Sequence, residues 1–322
     1  MPVDLLQTIS RLVNYPRFLA MAQPHLPTPL RTSIKRFHFR REVKRNSNRT
    51  PPPVLVYTAP KVASSAVTEA IRAIEGQSVY QVHMISADSV RKLREEMRRR
   101  GLKRMKDDAL GLEDIANAIA SGLIAPRHPA KIVSLVRDPV ARNISFYFET
   151  LDLLWQIKRA HERVSMEQLL AQFHERFRHG RGIDWFDNEF KPVLGIDVYE
   201  HVFPHDKGYL RIDSGPYEVL LMRHDLNDRV KEKCLAELVG VPTVTLAPRN
   251  VGAQKPYAAI YREFLNRIEL PEDYVYGLLD SKYARHFYSP EERARFRTKW
   301  LRRTAAQTAV TRPSISVARS TS

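Results

Sequence analysis

Short apolar runs alternate with helical patterns through the middle of this chain, and that alternation restricts it to a few architectures. VLVYT at 54–58 is a compact apolar run of the kind that forms a strand buried on both faces. SAVTEAIRAI at 65–74 follows, with Val67, Ala70, Ile71 and Ile74 on one helical face. SVYQVHMI at 78–85 reads as a second strand, and ADSVRKLREEMRRRG at 87–101 as a charged surface helix stopped by glycine. KIVSLV at 131–136 is a third buried strand, leading through a turn into a helix over SFYFETLDLLW. YEVLLMR at 217–223 and TVTL at 243–246 add two strands separated by the helix DRVKEKCLAELVG, and the C-terminal third is mainly helical. The pattern predicts an α/β chain of three layers, α/β/α, with a central, mainly parallel sheet and a helical C-terminal part.

The ends differ from this body. Residues 1–50 carry ten Lys/Arg against two acids, and residues 291–322 carry eight against two. Of the formal charge of +16, only +2 is left for the 240 residues between them. A basic groove across the fold is therefore not expected, nor a specific nucleic-acid partner. The basic ends suit peripheral contact with anionic membrane. Residues 1–50, with the Pro-broken QPHLPTPL and the basic RTSIKRFHFRREVKRNSNR, read as a partly helical arm that packs poorly on its own. Pro51, Pro52 and Pro53 close the arm, because consecutive prolines fit neither helix nor central strand. One domain is expected over 51–303, with a small, polar, disordered tail over 304–322. The single cysteine, Cys234, excludes an internal disulfide and a cysteine-based zinc cluster, and reads as structural. The N-terminus lacks both an apolar run near ~20 residues and a signal segment, so a cytoplasmic location is expected.

Two segments carry chemistry. In YTAPKVASSAV (57–67) a strand runs into a loop that opens a helix. Free amides at a helix N-terminus attract anions, Lys61 adds a cation, and Ser64 and Ser65 add hydroxyls. The physics is that of a phosphate-binding loop, hence a P-loop-like fold, although G-x-x-x-x-G-K-[ST] is absent. Read alone, the segment is equally a strand–helix turn with a serine cap and an exposed lysine. In LVRDPVARNISFYF (135–148) Arg137 leaves a buried strand, Asp138-Pro139 turns the chain, and Ser145 follows on the next helix. Arg137 and Ser145 can reach one phosphate in the crevice where open α/β sheets bind ligands.

P-K-x-[AG]-[ST]-[ST] after the first strand, with R-D-P-x-x-R-x-x-S after a later one, resembles the superfamily of sulfotransferases that use 3′-phosphoadenosine 5′-phosphosulfate (PAPS). The resemblance implies that Lys61, Val62, Ala63, Ser64 and Ser65 grip the 5′-phosphosulfate. Arg137 and Ser145 would grip the 3′-phosphate. Over roughly 54–300 the chain is also similar to a bacterial family of capsular polysaccharide synthesis or sulfotransferase-like proteins. The segments behind this are WFDNEFKPVLGIDVYEHVFPHDKGY, RNVGAQKPYAAIYREF and DSKYARHFYSPEE. A carbohydrate acceptor follows as an expectation, with PAPS as co-substrate and no metal.

Sulfuryl transfer needs an in-line arrangement, stabilisation of the leaving phosphate and removal of the acceptor's proton. Lys61 is expected at the leaving oxygen and His83 as base, since VYQVHMIS places His83 at the strand edge that carries the loop. That segment resembles the His-bearing strand end of uronyl 2-O-sulfotransferases, where the histidine is the base. Gln81 stands where those enzymes often have a second histidine. Glu69 is a weaker candidate base, and Arg142 either assists the 3′-phosphate or covers the helix surface. Asn250 and Lys255 lie in a late loop like the one that closes over the nucleotide in that superfamily. Trp185, Phe186, Asp187 and Glu189 line an acceptor cleft or belong to the core. His174 and His179, five apart in an expected helix, suit no metal. Two competing functions remain: a nucleotide-dependent kinase-like enzyme, disfavoured by the missing Walker pattern, and a non-catalytic adaptor binding polyanions through the basic ends.

Overall fold

The structure, a computed structural model, describes residues 28–102, 110–177, 179–247 and 255–310. Five strands form one sheet: β1 (Val54–Tyr57), β2 (Val79–Val82), β3 (Ala130–Val136), β4 (Tyr209–Ser214) and β5 (Tyr217–Arg223). Their order is β2-β1-β3-β5-β4, parallel except for β4, which runs antiparallel to β5. The helices of six residues or more are α1 (Thr28–Asn46), α2 (Ser64–Arg72), α3 (Ala87–Arg99), α4 (Leu112–Ile119), α5 (Pro139–Glu149) and α6 (Met166–Arg176). Beyond the sheet's last strand come α7 (Asp228–Val239), α8 (Ala258–Arg267), α9 (Glu272–Leu279), α10 (Lys282–Phe287) and α11 (Pro290–Val310).

The layers follow from the two-residue repeat of a strand, which sends alternate side chains to opposite faces. Leu55, Tyr57, Ile132, Val136, Val219 and Leu221 face one way, onto Val43 of α1, Ile119 of α4 and Tyr283 and Phe287 of α10. Val54, Val56, Val133, Leu135, Leu220 and Met222 face the other way, onto Val67 and Ile71 of α2 and Leu235 and Leu238 of α7. Both faces are covered, which is why the inner strands read as continuous apolar runs. A separate cluster joins α5, α6, α8, α9 and Trp300 of α11, and forms the helical part. Cys234 is buried in the second face, consistent with a packing role.

The expected three-layer fold is present, with two local differences. TVTL at 243–246 is not a strand; Val244 and Leu246 are buried there against α7, and the Leu246 amide donates to Glu232. The fifth strand is β4, a half-exposed edge whose Arg211 and Asp213 hide the apolar pattern. The basic stretch of the N-terminal arm forms α1, which packs on the fold through Ile34 and Val43. The helix α11 continues to Val310, past the expected start of the tail. Among the described residues, no helix is long and apolar enough to cross a membrane.

The parallel register aligns the C-terminal ends of four strands: Tyr57 lies beside Val82, and Val136 beside Arg223. The loop after β1, His83, Arg137 and His224 therefore emerge along one edge of the sheet, where such folds bind ligands.

Candidate functional site

The loop from Thr58 to Ala63 is bent by two left-handed residues that are not glycine, Lys61 (φ 70°) and Ala63 (φ 68°). Each costs roughly 1–2 kcal/mol relative to glycine-like freedom. Left-handed residues in such a turn can aim successive amide N–H groups into one hollow, an arrangement suited to anions. Ala63 is also the N-cap of α2 and offers no side-chain acceptor, so the first-turn amides have no side-chain cap. The serine-capped turn is thus not what forms. Ser64 lies inside the helix, its hydroxyl accepting from Gln81 Nε2 at 2.9 Å, while Ser65 is exposed. Val62 is fully buried and anchors the loop in the core under α2.

Arg137 meets this loop directly: its Nη1 donates to the Lys61 carbonyl oxygen at 3.0 Å. The backbone of Arg137 is held by the buried Tyr283, whose hydroxyl accepts from the Arg137 amide at 2.9 Å and donates to its carbonyl at 3.0 Å. Asp138 caps α5 through the amides of Val140 and Ala141 and accepts from Trp300 Nε1 at 2.8 Å. Burial raises the Asp138 pKa against the lowering effect of these donors and of Lys299. Ser145 is half-buried on α5, four residues before Glu149 and so on the same helical face. Glu149 reaches the loop: its Oε2 lies 3.0 Å from Lys61 Nζ, 3.4 Å from Lys255 Nζ and 3.0 Å from the Tyr257 hydroxyl. Burial works against ionisation of Glu149, but Lys61, Lys255 and Tyr257 together hold its pKa below the usual value. Asn250 lies outside the described residues.

His83 follows β2 and turns its ring to the loop, with Nδ1 2.7 Å from the Thr58 carbonyl oxygen. A carbonyl can only accept, so Nδ1 carries the proton and Nε2 the free lone pair. Burial depresses the His83 pKa, the Thr58 hydrogen bond opposes this, and the positive charges of Lys61 and Arg142 add to the depression. Arg142 is buried, not a cover for the helix surface; its Nη1 donates to Asn143 at 2.8 Å, and its guanidinium lies where a side chain on Gly182 would be. His224, at the end of β5, has its pKa pushed down to about 4, by burial first and then by Arg137 and Lys231.

Trp185 and Glu189 bracket the His83 segment from behind. Trp185 Nε1 donates to the His83 carbonyl at 2.9 Å. Glu189 Oε1 accepts from Tyr57 at 2.6 Å, from the Ser86 amide at 2.8 Å and from the Ile85 amide. With Phe186 they are core residues, all under 10% exposed. Trp185 and Glu189 also back a cavity of about 480 Å³ that Met84, Ser89, Lys92 and His179 help to line. Asp187 points away, paired with Lys282 at 2.8 Å. A larger groove of about 610 Å³ between α3 and α4 contains no residue of the loop and belongs elsewhere. His179 lies beyond the end of α6 rather than within a helix with His174, and is bonded to Phe173 and Tyr274. Among the described residues, no group of three or more His, Cys, Asp or Glu is placed to hold a metal. Glu69 is half-buried on α2.

The edge therefore brings together Lys61, Val62, Ala63, Ser64, His83 and Arg137, with Lys255 joined through Glu149 and Ser145 on the Glu149 face of α5. Glu149, Tyr257, Tyr283 and His224 were not singled out by sequence; only the Glu149 position, one helical turn beyond Ser145, could have pointed there.

Residues 162–289 match the NKWYS family, described as "Putative capsular polysaccharide synthesis protein". No curated protein and no solved structure matches the chain. The matched segment includes Trp185, Glu189, Lys255, Tyr257 and Tyr283, whereas Lys61, His83, Arg137 and Ser145 precede it.

Proposed function

We propose that this chain is a sulfotransferase that moves a sulfuryl group from PAPS to a hydroxyl of a carbohydrate, in keeping with a family linked to capsular polysaccharide synthesis. The observation that carries the reading is the hydrogen bond from Arg137 to the Lys61 carbonyl. It joins two segments 76 positions apart, each independently suited to a phosphate. The left-handed turn at Lys61 and Ala63 and the uncapped start of α2 receive the 5′-phosphosulfate. Arg137 and Ser145 receive the 3′-phosphate.

In the reaction the acceptor oxygen attacks sulfur as the bond from sulfur to the bridging 5′-phosphate oxygen breaks. The acceptor's proton passes to His83 Nε2, and the charge gained by the departing phosphate is met by Lys61 Nζ and the loop amides. The Thr58 hydrogen bond fixes the tautomer that this step needs. His83 then loses its proton to solvent. Arg137 fixes the loop's shape from behind while its remaining donors face the nucleotide.

The test is transfer of label from [35S]PAPS to a panel of neutral and acidic polysaccharides. Label is expected in at least one acceptor, and His83→Ala is expected to lower the rate by about 10²–10⁴-fold. Metal-dependent ATP turnover with no use of PAPS would contradict the reading.

A further inference from the structure

Glu149 takes part in none of the roles assigned above, yet it sits at the centre of the site's positive charge. A single carboxylate oxygen accepts from Lys61, Lys255 and Tyr257 at 3.0, 3.4 and 3.0 Å. Three donors converging on one oxygen is the coordination a sulfate or phosphate oxygen receives in a protein site. The groups come from three separate parts of the chain: the loop after β1, the end of α5 and the approach to α8. The carboxylate is 42% exposed, and the lysines 22% and 31%, so a dissolved anion can reach all of them. An anionic donor and an ionised Glu149 cannot both occupy this position, because like charges about 3 Å apart repel strongly.

We propose that Lys61, Lys255 and Tyr257 form an oxyanion subsite, and that Glu149 is its built-in occupant, displaced when the sulfuryl or phosphate oxygen of a ligand arrives. The assignment of the ligand to PAPS rests on the function proposed above; the competition between Glu149 and an oxyanion does not. Glu149 thereby weakens nucleotide binding. It holds Lys61 in a fixed place while the site is empty, and it re-enters as product leaves.

The experiment is calorimetric titration of inorganic sulfate, and separately of 3′-phosphoadenosine 5′-phosphate (PAP), into wild type, Glu149→Gln, Glu149→Ala and Glu149→Gln combined with Lys61→Ala. Glutamine keeps the size and a hydrogen bond to Tyr257 but removes the charge. Alanine checks the same prediction without the amide. Both single variants are expected to bind sulfate about tenfold more tightly than wild type, the scale set by losing two part-exposed ion pairs. The Lys61→Ala combination is expected to erase that gain. Sulfate affinity equal to or weaker than wild type in folded single variants would overturn the proposal. Tighter sulfate with no PAP binding by any variant would leave the subsite in place and remove PAPS as its ligand. PAP binding by wild type with no gain in either variant would do the reverse.

Discussion

His83 donates its Nδ1 proton to the carbonyl oxygen of Thr58 across 2.7 Å. The bond ties the proposed base to the first residue of the loop after β1, so His83 and the proposed anion site are held by one short piece of backbone. It also opposes the main influence on the pH behaviour of His83, which is burial. Burial, Lys61 and Arg142 push the His83 pKa below its usual 6.5, against the Thr58 bond. His83 is thus neutral at neutral pH, and in the proposed role it should lose function as pH falls through its depressed pKa. The acid limb of the pH–rate profile is expected below 6.5. A limb centred above 6.5 would argue against His83. His83→Ala should remove that limb without weakening PAP binding.

Tyr283 holds both backbone polar groups of Arg137 with one buried hydroxyl. Tyr283→Phe removes the partner of a part-buried N–H and C=O, and should destabilise the fold by about 1–2 kcal/mol in urea unfolding. The loss should also weaken PAP binding, because the Arg137 guanidinium is aimed by that backbone. Unchanged stability together with unchanged PAP affinity would show that Arg137 is held by other contacts.

Glu189 satisfies the Ile85 and Ser86 amides and Tyr57. Glu189→Ala should destabilise by about 3 kcal/mol, since several buried donors lose their acceptor at once. Trp185→Phe removes the bond to the His83 carbonyl and part of a ring packed on Tyr57, Phe186 and Phe190, and should cost about 1–3 kcal/mol. Its larger effect is expected on kcat, through a less fixed His83, with KM for PAPS little changed.

The left-handed backbone at Ala63 makes a sharp contrast possible. Ala63→Gly should leave activity intact and shift stability by less than about 1 kcal/mol, upward if relief of strain outweighs glycine's chain entropy. Ala63→Val puts a β-branched side chain at φ 68° and should destabilise by more than about 1 kcal/mol. Equal effects from the two substitutions, read by thermal unfolding and PAP titration, would mean the loop relaxes out of this shape.

The inner strands β1, β3 and β5 were legible because both their faces are buried, so most of their positions are apolar. The edge strand β4 was not, since Arg211 and Asp213 face solvent and break the run. TVTL failed for the opposite reason: its apolar residues bury against α7 without joining the sheet. The loop after β1 and Arg137 were readable as local patterns at strand ends. The left-handed turn at Lys61 and Ala63 was not, because neither residue type favours it. Least visible were the groups that complete the site from far along the chain. Glu149 reaches Lys61 over 88 positions, Glu189 reaches Ile85 over 104, and Tyr283 reaches Arg137 over 146. No local pattern encodes such pairs; the packing of the helical part on the sheet creates them.

The most direct test of a PAPS-binding edge is calorimetric titration of PAP into wild type and into the Lys61→Ala and Arg137→Ala variants. Binding on the order of micromolar affinity, weakened by both substitutions, is the expected result. Absence of PAP binding by folded wild-type protein, or binding indifferent to both residues, would contradict it.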